Sequence, residues 1–425
     1  MNRIIKKADI LLPAEGIDQT RWSVIACDQY TSEPEYWAEV ERIVGEAPST
    51  LKITLPEVYL EDEDVDRRID RIHSAMREYE EKKILEQHRD TMIYVERRDS
   101  EGKLRPGIMA CVDLEAYDYH QGSSSLIRTS EETVESRIPP RIKVREDAPV
   151  ETPHIMLLLD DPKGKVIEPL AASRDRMRKA YDYDMMLGGG HNSGYFIDEE
   201  NQERILSALD VLQDRAHFEE KYGIRGVPIL AYAVGDGNHS LATAKEYYES
   251  LKRECPDTDL SGHPARYALV EIVNLHCPAL EFEAIHRIVT EIDPVALKER
   301  MKEELALSDT ETECGQSFAF MEQGEMKTCW IGRPSSKLTV GSIQRCLDRY
   351  LREAGGKIDY IHGIDTMVSL TEQENSLGII LPVLAKEDLF PTIILNGALP
   401  RKTFSMGHAQ DKRYYMECRE IIPGK

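Results

Sequence analysis

Apolar and polar positions alternate along the chain in short blocks of two kinds. Ile4 to Leu12 reads as a strand, and a helix should begin near Pro34. Val65, Ile69, Ile72, Met76 and Tyr79 recur at steps of three and four, which predicts a long amphipathic helix from about Asp62 to Glu86. Thr91 to Arg98 and Pro106 to Leu114 flank Asp99-Ser-Glu-Gly-Lys103 and predict a hairpin, and Gln121 to Ser125 is a loop. Strands follow at His154 to Leu159 and Lys165 to Leu170, then a helix from Gln202 to about His217 and a buried strand from Tyr267 to Leu275. An apolar segment from Leu280 to Val289 and a helix from Pro294 to Leu305 lead into further helices and strands and a polar tail. Helices mixed with hairpins and isolated strands, with no internal repeat, predict an α+β (mixed α/β) fold.

One joint in this pattern carries chemistry. The run Pro228 to Val234 is short and apolar and reads as a buried strand, whereas Leu241 to Cys255 reads as an amphipathic helix. Between them Gly235 and Gly237 allow positive φ and close backbone approach. The amides from about Asn238 to Ala242 would open the helix without intrahelical acceptors, and the helix dipole adds partial positive charge, so a phosphate suits the turn. Asn238, His239 and Ser240 can donate to phosphate oxygens, and Asp236 is an acceptor for a metal or a hydroxyl. The plainer alternative is a tight turn in which Asn238 or Ser240 caps the helix. The glycines of Leu187 to Ile197 lack G-x-G-x-x-G spacing between a strand and a helix, so no dinucleotide fingerprint is present, and His191 and Asn192 there read as a lid or an ordinary strand turn.

The chain has 425 residues, enough for one large core or two to three smaller ones. Its 54 Lys and Arg against 77 Asp and Glu give a formal charge of −23, which argues against nucleic acid and anionic membranes as partners. A small phosphorylated ligand stays compatible, because salt screens distant charge within about 8 to 10 Å. The eight cysteines form no C-x-x-C pair and read as reduced, mostly buried thiols. With no signal-peptide core and no long uncharged apolar run, a soluble cytoplasmic protein is expected.

The chain resembles the domain of unknown function 1015 family, whose Ala-Asp-Gly-His-His-Arg element falls at Gly235-Asp-Gly-Asn-His-Ser240. Ile127-Arg-Thr-Ser-Glu-Glu-Thr133 resembles its Ile-Arg-x-His-Glu-x-Thr element, Ile285 to Val289 its Thr-His-Arg segment, Tyr360 to Gly363 its Tyr-x-His stretch and Leu399 to Thr403 its Pro-x-Lys-Ser/Thr segment. That family is similar to the ParB/sulfiredoxin-like superfamily, which includes kinases of free L-serine. The resemblance implies a ParB/sulfiredoxin-like core with large additional N- and C-terminal lobes: residues 1–125, a core at 126–290 with the phosphate-binding turn, and 291–425. It also implies a nucleotide-dependent kinase acting on a free amino-acid hydroxyl, L-serine first, with Mg²⁺ and ATP or ADP as cofactors. The motif arginine is Ser240 here and the motif histidine is Ser130. A serine hydroxyl does not replace a bidentate cation, so Arg128, Arg287 or Lys245 takes over the phosphate or the reaction differs.

The expected roles follow. Asp236, as metal ligand or acceptor orienter, His239 and Glu131 are the catalytic candidates. Gly235, Gly237, Asn238, Ser240, Arg128, His286 and Arg287 would bind phosphate or nucleotide, and Asp28 and His362 would bind substrate. Arg128 and Glu131 would share a face if their segment is helical. Cys27 reads as a buried thiol rather than a nucleophile. The partners are then a small-molecule substrate and a nucleotide, with a homo-oligomer left open. A nucleotide-binding regulator without turnover and a phosphatase of a phosphorylated metabolite are the alternatives.

Overall fold

The computed structural model describes residues 3–423. The chain forms two compact units, one from residues up to Leu280 together with those from Gly407 onward, the other from Glu281 to Met406. The architecture is mixed α/β, as the alternation predicts.

The first unit is built on a nine-stranded mixed sheet. Its strands run in the order Ile127–Thr129, Tyr232–Asp236, Met156–Leu159, Tyr267–Asn274, Leu104–Asp113, Ile93–Arg98, His191–Phe196 and Arg178–Asp184, with Ile5–Lys6 paired on Leu104–Asp113. This one sheet takes strands from both sides of residue 125, the boundary expected between the first two lobes. The predicted hairpin is present, with Arg98 opposite Leu104 and Ile93 opposite Met109. Both faces of the sheet are covered, and this explains the unbroken apolar run in its central strand. Ile108, Ala110 and Val112 enter one core with Leu157, Val234 and Leu241, while Met109 and Cys111 enter a second core with Trp22, Trp37 and Met76.

Several elements differ from expectation for local reasons. The helix expected to reach Glu86 ends at Glu81; Lys83 takes a left-handed φ of 53°, and Leu85–Thr91 becomes a strand against Ala8–Pro13. Lys165 to Leu170 is not a strand, because the N–H groups of Lys165 and Val166 turn back onto Asp161 Oδ2 at 2.5 and 2.9 Å and a 3₁₀ segment, Glu168–Arg176, follows. The helix expected from Gln202 to His217 is two, Glu199–Asp210 and Arg215–Tyr222, each started by an aspartate, Asp198 and Asp214. The residues around Arg128 form the strand Ile127–Thr129, so Arg128 and Glu131 do not share a helical face. The tail is polar only in composition: Tyr414, Tyr415, Met416, Cys418 and Ile421 are buried in the second core. Arg413 pairs there with Glu271 at 2.7 Å and with Glu417, and Arg419 pairs with Glu151 at 2.9 Å.

The second unit carries a six-stranded sheet in the order Glu325–Trp330, Ser317–Glu322, Leu377–Ile380, Phe282–Thr290 and Lys357–His362, with Phe404–Met406 on Phe282–Thr290. The helices Pro294–Leu305 and Thr339–Ala354 bury Leu297, Met301, Ile343 and Leu347 in its core. Among the described residues no helix is long and apolar enough to cross a membrane.

Candidate functional site

The strand Tyr232–Asp236 passes through Gly237 into the helix Asn238–Glu254, so the strand, turn and helix stand where the sequence puts them. The strand starts four residues late and the helix three residues early. Of the two glycines only Gly237 needs positive φ, at +73°, while Gly235 stays in the strand. A Cβ on Gly237 would lie 2.9 Å from Ile155 Cα, so the turn is pressed against the backbone leading into Met156–Leu159. No side chain caps the helix. The capping alternative is therefore not realised, and the N–H groups of the first turn, Asn238 to Ser240, point out of the helix without a capping acceptor.

The turn's side chains are each engaged. Asp236 Oδ1 accepts the Gly237 N–H at 3.0 Å, and its Oδ2 lies 3.4 Å from Lys412 Nζ. Asn238 Oδ1 accepts from the Thr129 hydroxyl at 2.6 Å, and the same hydroxyl reaches the Glu131 carbonyl, which ties the segment after Ile127–Thr129 to the turn. His239 Nε2 accepts the Val134 N–H at 3.3 Å. Burial, with Arg141 and Arg137 adding to it, pushes the His239 ring down to about 4, so it is neutral at pH 7 and its free function is the Nδ1–H donor.

Ser240 leads to a group that the sequence reading did not assemble. Its hydroxyl lies 3.3 Å from His154 Nε2, and Asp28 Oδ2 lies 3.3 Å from the same nitrogen. His154 Nδ1 is 2.7 Å from the Tyr415 hydroxyl, whose oxygen accepts the Cys27 N–H at 3.0 Å. Burial alone would favour neutral forms, but the attraction between Asp28 and His154 prevails: His154 titrates above an ordinary histidine and Asp28 below an ordinary carboxylate, helped by Gln29 and Lys412. Arg141, on the helix Ile138–Glu146, pairs with Glu57. Burial raises the Cys27 thiol to about 11, with Asp28 adding to it, so it is not a thiolate at neutral pH.

A cavity of about 140 Å³ is lined by Ser240, His154, Tyr415, Arg141, Glu57 and Cys27 together with apolar side chains. Asp28, predicted from sequence, stands beside this lining through His154; His154, Tyr415 and Arg141 of the lining, and Lys412 beside Asp236, are not legible in the sequence. The Pro153-His154 pair just ahead of an apolar strand was the one local sign. Among the described residues no cluster of three or more His, Cys, Asp and Glu could hold a metal. With one Asp236 oxygen on an amide and the other facing Lys412, the donor set suits a Mg²⁺ carried in on phosphates and met by a single carboxylate, not a resident ion.

The remaining candidates stand elsewhere. Arg128, opposite Ala233 in the sheet, is buried, reaches only the Pro228 carbonyl at 3.4 Å and has no carboxylate partner among the described residues. Lys245 pairs with Glu249 at 2.8 Å and donates to the Leu114 carbonyl at 3.0 Å. His286, Arg287 and His362 belong to the second unit. There Arg287 is fully buried, donates to Gln344 Oε1 at 3.1 Å and lies over the Tyr360 ring, while His286 accepts the Leu381 N–H at 3.2 Å and His362 stands opposite Ile285. His191 and Asn192 form no lid: they start the strand His191–Phe196, and His191 bridges Asp182 and Asp184 at 2.7 and 2.8 Å.

No curated protein sequence matches the chain. Among solved structures, a free serine kinase in complex with AMP is similar at 13% identity and a TM-score of 0.38, over 72% of this chain and 90% of that one. A mutant free serine kinase in complex with ADP is similar at 12% identity and a TM-score of 0.38, over 74% and 92% of the two chains. A conserved hypothetical protein from Pyrococcus furiosus is similar at 11% identity and a TM-score of 0.37, over 74% and 95%. The family model described as protein of unknown function (DUF1015) matches residues 11–350, most of the chain, and the protein belongs to that family.

Proposed function

We propose that this protein is a phosphotransferase that seats nucleotide phosphates on the first turn of the helix Asn238–Glu254 and passes a phosphoryl group to the hydroxyl of a small molecule. The observation that carries this reading is the uncapped first turn whose Ser240 lines a cavity together with His154 and Arg141. Phosphoryl transfer asks little covalent help of a protein; it asks for amides and cations that position phosphate and for an acceptor held in line. Asn238, His239 and Ser240 would give the amides, with Gly235 and Gly237 shaping the approach. Lys412 and Arg141 would give the nearest charge, and Arg128, a buried cation without a carboxylate, would be next. In the transfer, the acceptor oxygen bonds to the terminal phosphorus, the bond from phosphorus to the nucleotide's bridging oxygen breaks, and the acceptor's proton goes to the unprotonated form of His154, whose basicity Asp28 raises. When bound, a nucleotide-borne Mg²⁺ would supply neutralisation of phosphate charge, with Asp236 as its protein ligand.

The motif resemblance makes free L-serine the first acceptor to try, with ATP and ADP as donors. Calorimetry with each nucleotide, and phosphorus NMR for phosphoserine after incubation with L-serine, test the reading. His154→Gln should abolish transfer and spare nucleotide binding. If neither ATP nor ADP binds, the turn is not a phosphate site and the assignment fails. Nucleotide binding without turnover is the second reading, favoured because Lys412 and Arg141 are already neutralised by Asp236 and Glu57.

A further inference from the structure

The wall of the cavity beside Ser240 is unlike a site for serine alone. Ile53, Leu55, Leu60, Met76, Val144 and Ile155 line it, and they belong to, or pack against, the two cores of the first unit. The charged groups in the same lining are matched within the protein: Arg141 with Glu57, Arg145 with Glu151 at 2.5 Å, and His154 with Asp28 at 3.3 Å. Glu151 is matched a second time, by Arg419 at 2.9 Å. A wall that is apolar and charge-compensated gives no reward for burying a further charge and favours an uncharged apolar group.

Size narrows the class. The cavity is about 140 Å³, and an apolar protein cavity of about 150 Å³ takes up benzene. The hydroxymethyl side chain of serine would leave most of the apolar side chains of that wall without contact. Polar groups able to meet a hydroxyl, Ser240 and His154, belong to the same lining.

Resting on the phosphotransferase reading above, we propose that the acceptor is a hydroxyl compound bearing an aromatic or branched aliphatic group of about benzene size, and that this group fills the cavity while its hydroxyl meets His154. Free serine is then a poor substrate of a site built for a larger relative.

The test uses the full chain and two kinds of probe. Calorimetry first measures ADP, then compares L-serine with 3-phenylserine and 3-hydroxyleucine, which keep the hydroxyl and add the apolar group. The expected result is binding of 3-phenylserine or 3-hydroxyleucine at least about tenfold tighter than L-serine. Val144→Phe, which fills the cavity from the helix Ile138–Glu146, should erase that preference and leave ADP affinity unchanged; Leu60→Phe, from a different segment, is the second variant should the first fail to fold. Equal or tighter binding of L-serine, with ADP still bound, overturns the proposal and leaves the phosphate site standing. Loss of ADP binding in Val144→Phe, with no preference among the acceptors, also overturns it and gives the cavity to the nucleobase. Failure of ADP to bind the wild-type protein counts against the phosphotransferase reading, while the acceptor comparison, made without nucleotide, still decides the cavity.

Discussion

Gly237 is the residue on which the turn most directly depends, and its replacement by alanine gives a sharp measurement. Its φ of +73° and ψ of 28° are left-handed, and an added Cβ would meet Ile155 Cα at 2.9 Å and the His154 carbonyl oxygen at 3.3 Å. Both neighbours are backbone, so no rotamer change relieves the contact. The left-handed conformation costs a non-glycine residue about 1–2 kcal/mol. Forcing an extra carbon into a packed place costs about 1–3 kcal/mol more. Gly237→Ala should therefore destabilise the first unit by about 2–5 kcal/mol, the sum of those two ranges. Trp22 and Trp37 are fully buried in that unit and Trp330 belongs to the other, so urea unfolding read by tryptophan fluorescence in a Trp330→Phe background reports the first unit alone. The same strain displaces the first-turn amides, so ADP affinity should fall about tenfold or more under conditions where the variant is folded. A stability loss under about 1 kcal/mol would refute the packing argument. A full loss of stability with ADP affinity unchanged would refute the claim that these amides carry the site.

Asp28→Asn removes the main attraction that raises His154, so the His154 titration followed by NMR should fall, since burial and Arg141 are then opposed only by Asp236. The sign for stability is definite: the raised His154 contributes below its unfolded value and is lost as pH rises through its folded one, whereas the depressed Asp28 contributes above its unfolded value and is lost as pH falls. Both contributions coexist in the weakly acidic to neutral window, and the variant should lose its stability maximum there. Cys27, raised to about 11, should resist alkylation by iodoacetamide at pH 8 in the native protein while the exposed Cys255 and Cys314 react, as peptide mapping would show; equal labelling would place an activated thiol at the site after all. Arg413→Met strands Glu271 and Glu417 in the core without their shared cation, and breaking a buried pair in this way costs about 3–5 kcal/mol by denaturant unfolding. A loss near zero would mean that Arg105, 3.7 Å from Glu271, suffices alone.

What was legible in the sequence was local. The turn at Gly237 shows itself because an apolar run, two glycines and a helical period are contiguous. The hairpin of Ile93–Arg98 and Leu104–Asp113 and the helix Pro294–Leu305 follow from the same kind of signal. Asp161 defeats the strand expected at Lys165 because a single side chain captures two backbone N–H groups, which periodicity cannot register. The site's other half was illegible because sequence distance hides it: His154 meets Tyr415 across 261 residues. The segment carrying Lys412 and Tyr415 reads as a polar tail because Lys412, Arg413, Glu417 and Arg419 are charged. Their charges are cancelled inside the unit by Asp236, Glu271 and Glu151, and only that pairing lets Tyr414 to Met416 sit in the core.

The exchange of the motif arginine for Ser240 takes on a physical meaning in this arrangement. An arginine on the helix's first turn is a fixed positive charge that faces phosphate whatever else the site does. Here the first turn carries a neutral hydroxyl and a neutral imidazole, and the cations come from elsewhere, Lys412 from the C-terminal segment and Arg141 from the helix Ile138–Glu146. Each is held by a carboxylate. If phosphate binds as proposed, it would compete with Asp236 for Lys412, whereas the amides of the turn have no rival acceptor in the cap. Binding so arranged draws its reward mainly from oriented backbone dipoles and less from free charge, so its affinity should depend only weakly on salt. On the proposed reading such a site would select its two ligands differently, the nucleotide by phosphate on the turn's amides and the acceptor by the apolar group that fills the neighbouring cavity.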